Sequence, residues 1–508
     1  MPSSAYREVE RTYAVDATTP LPVLTSITGV SAVAPPVHLQ LSATYFDTPA
    51  LDLAGHRITL RRRTGGEDDG WHVKLPVSVQ ERTELHRPLG RANRNVPSTV
   101  LAPVRVYVRD RPVVPVATIT THRVVHRLLD AQASVLAEVC DDTVTAEALG
   151  DTPVRTRWRE WEVELVGGDP TLLDDVQALL LAGGATVSRS PSKLVRALGS
   201  RVPAPPTVRQ VSRRSCAGDA VLAAVGAQVE RLLSDDPAVR ADEPDAVHQM
   251  RVALRTLRSL LATYRPVLDR TATDPLRAEL RWMGEVLGAA RDTEVVLAHC
   301  SDLVAAQPPG LVLGPVGRRL DQTLAQRYRT AHRQVVGELS STRWYRLLDG
   351  LDALLAEPPL TPLAGQPAGQ VLPACVRKDW KRLRHKASAA DTAGTPEQRV
   401  ALLHEVRKAA KRLRYAATSA APVRVKPAKH LAKAAKRVQT VLGEHQDAAV
   451  TRQLVRDVAA QADVAGESTF TYGRLDAQVQ AQTGDTESSY ERAWSRLDRP
   501  RLRRWLDV

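Results

Sequence analysis

Two periodicities divide this chain. From residue 5 to about 200, apolar and polar positions alternate in short runs: REVERTYAV, HRITLRRR, GWHVKLPVS, ERTELHRPL, SVLAEVCDD and REWEVELVG. Period two is the pattern of strands. Turn chemistry separates the runs. Thr64 to Gly70 predicts a hairpin loop between Arg63 and Trp71, and Gly167-Gly168-Asp169-Pro170 ends the last long strand before a helix at about 171–183. From about residue 213 the spacing becomes helical, in Ala/Leu/Arg-rich segments broken by Pro- and Gly-dense loops at 307–317 and 357–370. The expected organisation is a strand domain (5–200), a proline-rich linker (201–212) and a helical domain (213–500).

The helical region carries the same pattern twice. His248-x-x-Arg251-x-x-x-Arg255-x-x-Arg258 recurs as His404-x-x-Arg407-x-x-x-Lys411-x-x-Arg414, and these offsets put each set on one helix face. A second signature follows at nearly the same distance, Leu287-Gly288 to Arg291-Asp292 and Leu442-Gly443 to Asp447. Two related halves divided at 357–370 are the simplest reading. Solvated helix faces usually mix signs, because like charges at helical spacing cost a few tenths of a kcal/mol per pair. A cationic row written twice predicts a polyanionic ligand instead. Further cations join it: Lys378, Lys381 and Arg382 in RKDWKRLRHK against a single Asp379, then Lys408, Lys433 and Lys436. Arg suits the planar oxygens of phosphate and Lys supplies a mobile point charge, a mixture fitted to a flexible polymer. His248 and His404 suit a structural hydrogen bond and a phosphate contact equally.

Composition narrows the partner. The 508 residues carry a formal charge of +13, which calls for an acidic ligand. With 2 Phe, 8 Trp and 10 Tyr there is little surface for base stacking, and no RNA- or DNA-reading motif occurs, so nucleic acid is disfavoured. The four cysteines lie far apart without a CxxC pair, as expected of buried thiols in a reducing compartment. There is no apolar signal-peptide core and no apolar run of about 18 residues, so a soluble cytoplasmic protein without a membrane span is expected.

In the strand domain the charges segregate by strand. Alternation places Glu8 with Glu10, Arg61 with Arg63, and Glu160 with Glu162 and Glu164, while His72, Lys74, Arg82 and Glu84 lie between. On an ordinary sheet the charged face is the wet one. If the sheet closes, however, the same face becomes a lumen holding carboxylates for a divalent cation beside cations for phosphate. Mg²⁺ or Mn²⁺ suits such oxygen ligands.

Glu8-Val9-Glu10, Tyr45-Phe46-Asp47-Thr48-Pro49, Leu60 to Arg63, Trp71 to Lys74, Glu162-Val163-Glu164 and Ser190-Pro191-Ser192-Lys193 resemble the CYTH domain of the triphosphate tunnel metalloenzymes. The resemblance implies an antiparallel eight-stranded β-barrel open at both ends, acting on triphosphate compounds. It implies Glu8, Glu10, Glu162 and Glu164 as metal ligands, with Glu84, Glu138 and Asp142 as further carboxylates. Glu162, Glu164 and Lys74 would be catalytic, and Arg61, Arg63, Arg82, Arg123 and Lys193 would bind phosphate. The family opens on ExExK, and here the last position is Thr12. Arg11 does not replace that lysine, because one step along a strand faces the other way.

The duplicated stripes and the Leu-Gly signatures resemble the CHAD domain, which commonly follows CYTH. This implies an all-α domain of two related four-helix bundles that binds inorganic polyphosphate. The binding set would be His248, Arg251, Arg255, Arg258, Lys378, Lys381, Arg382, His404, Arg407, Lys408, Lys411, Arg414, Lys433 and Lys436. Together the resemblances lead us to expect a polyphosphate-binding protein, associated with polyphosphate granules, whose tunnel is a metal-dependent triphosphate or tripolyphosphate hydrolase. The alternative is a non-catalytic polyphosphate scaffold with a degenerate tunnel, and nucleotide cyclisation ranks below hydrolysis.

Overall fold

The computed structural model describes residues 4–77, 81–90, 95–204, 210–482 and 486–507. They form two compact units, one within residues 1–207 and the other within 208–508. Residues 205–209, which belong to the expected linker, lie outside the described residues.

The first unit holds eight long antiparallel strands: β1 (Ser4–Val15), β2 (Val37–Asp47), β3 (Thr59–Thr64), β4 (Gly70–Pro76), β5 (Glu81–Pro88), β6 (Val114–Leu129), β7 (Val135–Ala148) and β8 (Val154–Leu165). They run in the order β1-β5-β4-β3-β2-β6-β7-β8, and β8 returns to β1 to close a barrel. The strand β1 is the seam. Its residues 4–9 pair with β5 and its residues 10–15 pair with β8. At the predicted β3–β4 hairpin Gly65 takes φ +97°, and a Cβ there would lie 2.0 Å from the Gln40 carbonyl oxygen, so only glycine fits this turn.

The charged face lies inside. Glu8, Glu10 and Thr12 of β1 line the lumen, whereas Tyr13 packs outside with Leu128, Val139, Trp161 and Val163. That outer apolar face is covered by α1 (Leu172–Ala182) through Leu172, Leu173, Val176 and Leu180. Arg11 also points outward, to the Leu173 carbonyl and Asp174. Leu60, Trp71 and Val73 are covered by Val100, Val104 and Val108. Two strands, β2 and β6, are not among the runs singled out by alternation. In β2 the pattern is reversed, since Leu39, Leu41, Ala43 and Tyr45 face the lumen and His38 and Gln40 are exposed.

One end of the lumen is filled. Inward-facing Ala43, Tyr45, Ile119, Val144, Ala146 and Trp158 form an apolar cluster with Leu194, Ala197 and Leu198 of α2 (Lys193–Leu198). The expectation of a tunnel open at both ends is therefore corrected to a pocket with a plugged floor.

The second unit is helical. It holds α3 (Ala217–Arg240), α4 (Ala246–Thr263), α5 (Arg270–Ala305), α6 (Val316–Glu338) and α7 (Thr342–Ala356) in its first half. The second half holds α8 (Ala368–Asp391), α9 (Pro396–Ser419), α10 (Val425–Val464), α11 (Phe470–Gln482) and α12 (Thr486–Leu497). A short turn at Pro500–Arg503 follows α12. The stripes sit at corresponding places, on α4 and α9, and the Leu-Gly signatures on the long α5 and α10. The halves interlock through Val296, Cys300 and Leu303 of α5, Leu320 and Leu324 of α6, Val455 and Val458 of α10, and Tyr472 and Leu475 of α11.

Asp47, fully buried at the end of β2, accepts hydrogen bonds from the backbone N–H groups of Thr48, Leu53 and Ala54 at 2.7, 2.9 and 2.9 Å. Asp47→Ala leaves three buried donors without an acceptor. It should lower the protection of the barrel amides by about 2–5 kcal/mol, read by native-state hydrogen exchange of the full chain.

Candidate functional site

The ten barrel residues expected to hold metal or phosphate, Glu8, Glu10, Arg61, Arg63, Lys74, Arg82, Arg123, Glu162, Glu164 and Lys193, all line one cavity of about 340 Å³. Their charges fall into two webs. In the first, Lys74 Nζ lies 2.7 Å from Glu8, 3.6 Å from Glu10 and 3.3 Å from Glu84. Arg82 reaches Glu10 at 2.9 Å, and Glu84 also receives Arg61 at 3.7 Å and His72 Nδ1 at 2.5 Å. In the second, Lys193 Nζ lies 2.9 Å from Asp142, 2.8 Å from Glu160 and 2.5 Å from Glu162, while Arg123 bridges Asp142 and Glu162.

Between the webs runs a row of carboxylates set by strand register: Glu10 of β1 opposite Glu164 of β8, and Glu164 opposite Glu138 of β7. Like charges directly opposed across strands are destabilising. Burial, partly offset by Lys74, pushes the neighbouring Glu8 carboxyl up to about 7, with Glu10, Glu84 and Glu164 adding to the rise. Burial also raises Glu164, where Lys74 opposes and Glu10 and Glu138 reinforce the shift. Glu162 behaves differently. Although burial alone would raise it, Lys193 and Arg123 hold it well below the usual carboxylate range. The next register step pairs Thr12 with Glu162, so an ammonium does reach the row that lacks the motif lysine, from Lys193 on α2.

In the helical unit α4 packs on α5, α9 packs on α10, and α4 meets α9. The glycine of each Leu-Gly signature makes room for a stripe arginine. A Cβ on Gly288 would lie 3.2 Å from the Arg251 guanidinium, and one on Gly443 would lie 3.2 Å from that of Arg407. Arg251 also meets Asp292 at 2.7 Å. Where the stripes converge, burial lowers the Lys411 ammonium to about 7, and Arg255, Arg407, Arg251 and Arg414 push the same way. Asp447 also lies within electrostatic range of Lys411. Arg258 sits apart, beside Arg277 and Arg281. Arg382 binds Asp379, which also takes Arg412 and the Thr263 hydroxyl, so this pair is built into the helix packing. Lys408 pairs with Glu405 at 2.8 Å, Lys378, Lys381 and Lys436 are exposed, and Lys433 lines a different cavity. Burial, and then Arg291, lowers the His248 imidazole.

Family models match both domains: a CYTH domain over residues 7–196 and a CHAD domain over residues 223–456. Uncharacterized protein Rv2226 of Mycobacterium tuberculosis is 41% identical over 97% of this chain and 96% of its own length. The chain belongs to the proteins that join a CYTH domain to a CHAD domain. Among solved structures, the CHAD domain from the plant Ricinus communis covers 58% of the chain and 96% of its own, with 26% identity and a TM-score of 0.47. PptA from Streptomyces chartreusis covers 55% and 100%, with 21% identity and a TM-score of 0.46.

CYTH domains are metal-dependent, and two groups of lumen carboxylates offer oxygen ligands for a divalent cation. Asp142, Glu160 and Glu162 bring three carboxylate oxygens within 4.8 Å of one another, but Lys193 already bridges them. Glu8, Glu10 and Glu164, on the paired strands β1 and β8, face the same lumen and would offer further oxygen ligands, although Lys74 and Arg82 already pair with Glu8 and Glu10. Arg127 is a lumen cation that the motifs do not reveal. It binds Glu138 at 2.8 Å and lies four residues beyond Arg123 on the same strand face, which is the signal that marks it.

Lys193→Met should weaken the CYTH barrel most at neutral pH and least at acid pH. In the native protein Glu162 titrates below its unfolded value, so it stabilises above about pH 4.5 and this contribution is lost on acidification. Without Lys193 mainly Arg123 opposes the three carboxylates, so Glu162 titrates higher than in the native protein and the variant loses stability relative to it as pH rises. Thermal melts from pH 4 to 8 should therefore show the variant closest to the native protein at the acid end. A constant offset across that range would count against the bridge.

Proposed function

We propose that the CHAD domain captures inorganic polyphosphate and that the CYTH barrel hydrolyses short phosphate chains, tripolyphosphate or other triphosphates, with Mg²⁺ or Mn²⁺. The observation that carries this reading is the convergence of Arg251, Arg255, Arg407 and Arg414 on the half-buried Lys411. Such a cluster is held together at a cost unless an anion enters it. In the barrel, a bound metal would polarise a phosphoryl group and neutralise developing charge. Arg61 and Arg63 face the same lumen and would orient phosphate oxygens. Burial lowers the Arg63 guanidinium to about 10, with the like charges of Arg61 and Arg123 adding and Glu84 opposing, and its present partner is Asp68 of the hairpin loop, which a phosphate would displace. Lys74, held by Glu8, Glu10 and Glu84, would exchange these carboxylates for phosphate oxygens once a metal engages them.

Thr12 favours a second reading, a barrel that binds without turnover. EDTA-sensitive phosphate release from tripolyphosphate separates the two. Under the first reading Glu10→Gln or Glu164→Gln should reduce release at least about a hundredfold, because each removes a charge that would hold the metal, while polyphosphate capture is unchanged.

Replacing Arg407, Lys411 and Arg414 together by Glu should weaken polyphosphate binding on the order of a hundredfold or more, from the loss of charged hydrogen bonds. Arg318→Glu should change it little. Arg319 is a poorer control because Glu467 pairs with it at 2.5 Å. Binding should also take up a proton above neutral pH. Burial and the surrounding arginines make the Lys411 ammonium lose its proton more readily, and a bound phosphate raises its pKa, so the calorimetric enthalpy should depend on the buffer at pH 8. Lys411→Met should remove that dependence.

A further inference from the structure

We infer that the C-terminal tail builds a second groove for inorganic phosphate polymer, lined by His430, Lys433, Arg437, Arg496, Arg499 and Arg501. It deepens the proposed capture of polyphosphate and rests on that reading for the class of ligand. The groove has a volume of about 610 Å³, and its remaining lining is Ala434, Ala493 and Leu502. Among the described residues no carboxylate lines it, and none of the six cations pairs with an acidic group. Three of the arginines, at 496, 499 and 501, lie beyond the CHAD match at 223–456.

The groove is separate from the stripes. His430, Lys433 and Arg437 recur at helical spacing near the start of α10, and Gly443 on the same helix faces Arg407 of the stripe. At 3.6 residues per turn, the three side chains lie roughly 80–140° around α10 from Gly443. The opposite wall is held firmly. Leu497, Trp505 and Leu506 are buried, Trp494 stacks on Trp380 with ring centroids 6.0 Å apart and 10° between planes, and Arg503 lies 5.4 Å over the Trp380 ring. The arginines therefore sit on a docked element across from the cations of α10.

The lining selects the ligand. Six cations without an acidic partner call for an anion with several charges, and a pocket of this size exceeds what one orthophosphate fills. Among the described residues the wall has no aromatic ring on which a base would stack and no side-chain carboxylate or amide to read a base edge. What remains is donors and aliphatic surface, which suit a chain of phosphates without bases.

The experiment is arginine footprinting of the full chain with phenylglyoxal, read by peptide mass spectrometry, with tripolyphosphate, long-chain inorganic polyphosphate or RNA as the protecting probe. Long-chain polyphosphate should protect Arg437, Arg496, Arg499 and Arg501 as well as Arg407 and Arg414, and Arg407→Ala with Arg414→Ala should leave the groove protected. All three tail arginines are exposed, so R496A/R499A/R501A should fold normally. Its plot of log affinity against log salt should be shallower by about 2, from three contacts at roughly 0.7 each. Protection confined to Arg407 and Arg414, with the salt slope unchanged, overturns the groove and leaves capture by the stripes standing. No protection at any arginine together with no binding sinks both. Protection of the groove by RNA and not by polyphosphate overturns the ligand class.

Discussion

A charge withdrawn from water must meet an opposite charge, and the two domains answer this constraint in opposite ways. Lys74 and Lys411 make the comparison direct. Burial disfavours both ammonium groups, but in the barrel Glu10, Glu84 and Glu8 outweigh burial and hold Lys74 charged. In the helical domain the neighbours of Lys411 are mainly arginines, and burial and repulsion act together. The first arrangement is self-contained; the second leaves like charges facing one another. Nearly every lumen carboxylate and cation is paired within the barrel, so a ligand entering there would have to exchange existing pairs.

Placing charge inside the barrel forces the apolar residues outward, and this inversion determines much of the remaining architecture. Tyr13, Trp161 and Val163 would face water if α1 did not cover them, and Trp71 and Val73 depend in the same way on Val100, Val104 and Val108. The helices around the barrel are thus integral to its core. The seam strand β1 joins the two roles, with Glu8 and Glu10 inside, Tyr13 and Arg11 outside, and pairing that passes from β5 to β8 between Val9 and Glu10.

Much of this was legible in the sequence because both periodicities are strict. Alternation alone puts Glu8 with Glu10 and Glu162 with Glu164, and helical spacing alone aligns Arg407, Lys411 and Arg414. What escaped depends on residues far apart along the chain. The bridge from Lys193 to Asp142, Glu160 and Glu162 exists because α2 closes over strands β7 and β8, which no local pattern encodes. The role of Gly288 and Gly443, as space for a guanidinium, becomes visible only when the neighbouring helix is in place. The face of β2 was hard to read because its lumen side is apolar where the other strands are charged.

The plugged floor of the barrel has a bearing on traffic. Because Ala43, Tyr45, Ile119 and Trp158 pack against Leu194, Ala197 and Leu198, a linear molecule cannot be drawn through the lumen from end to end. It enters by a terminus and backs out by the mouth it came in. Were the barrel to cleave such a chain, the bond would be counted from a chain end, and the fragment would have to leave before another chain could enter.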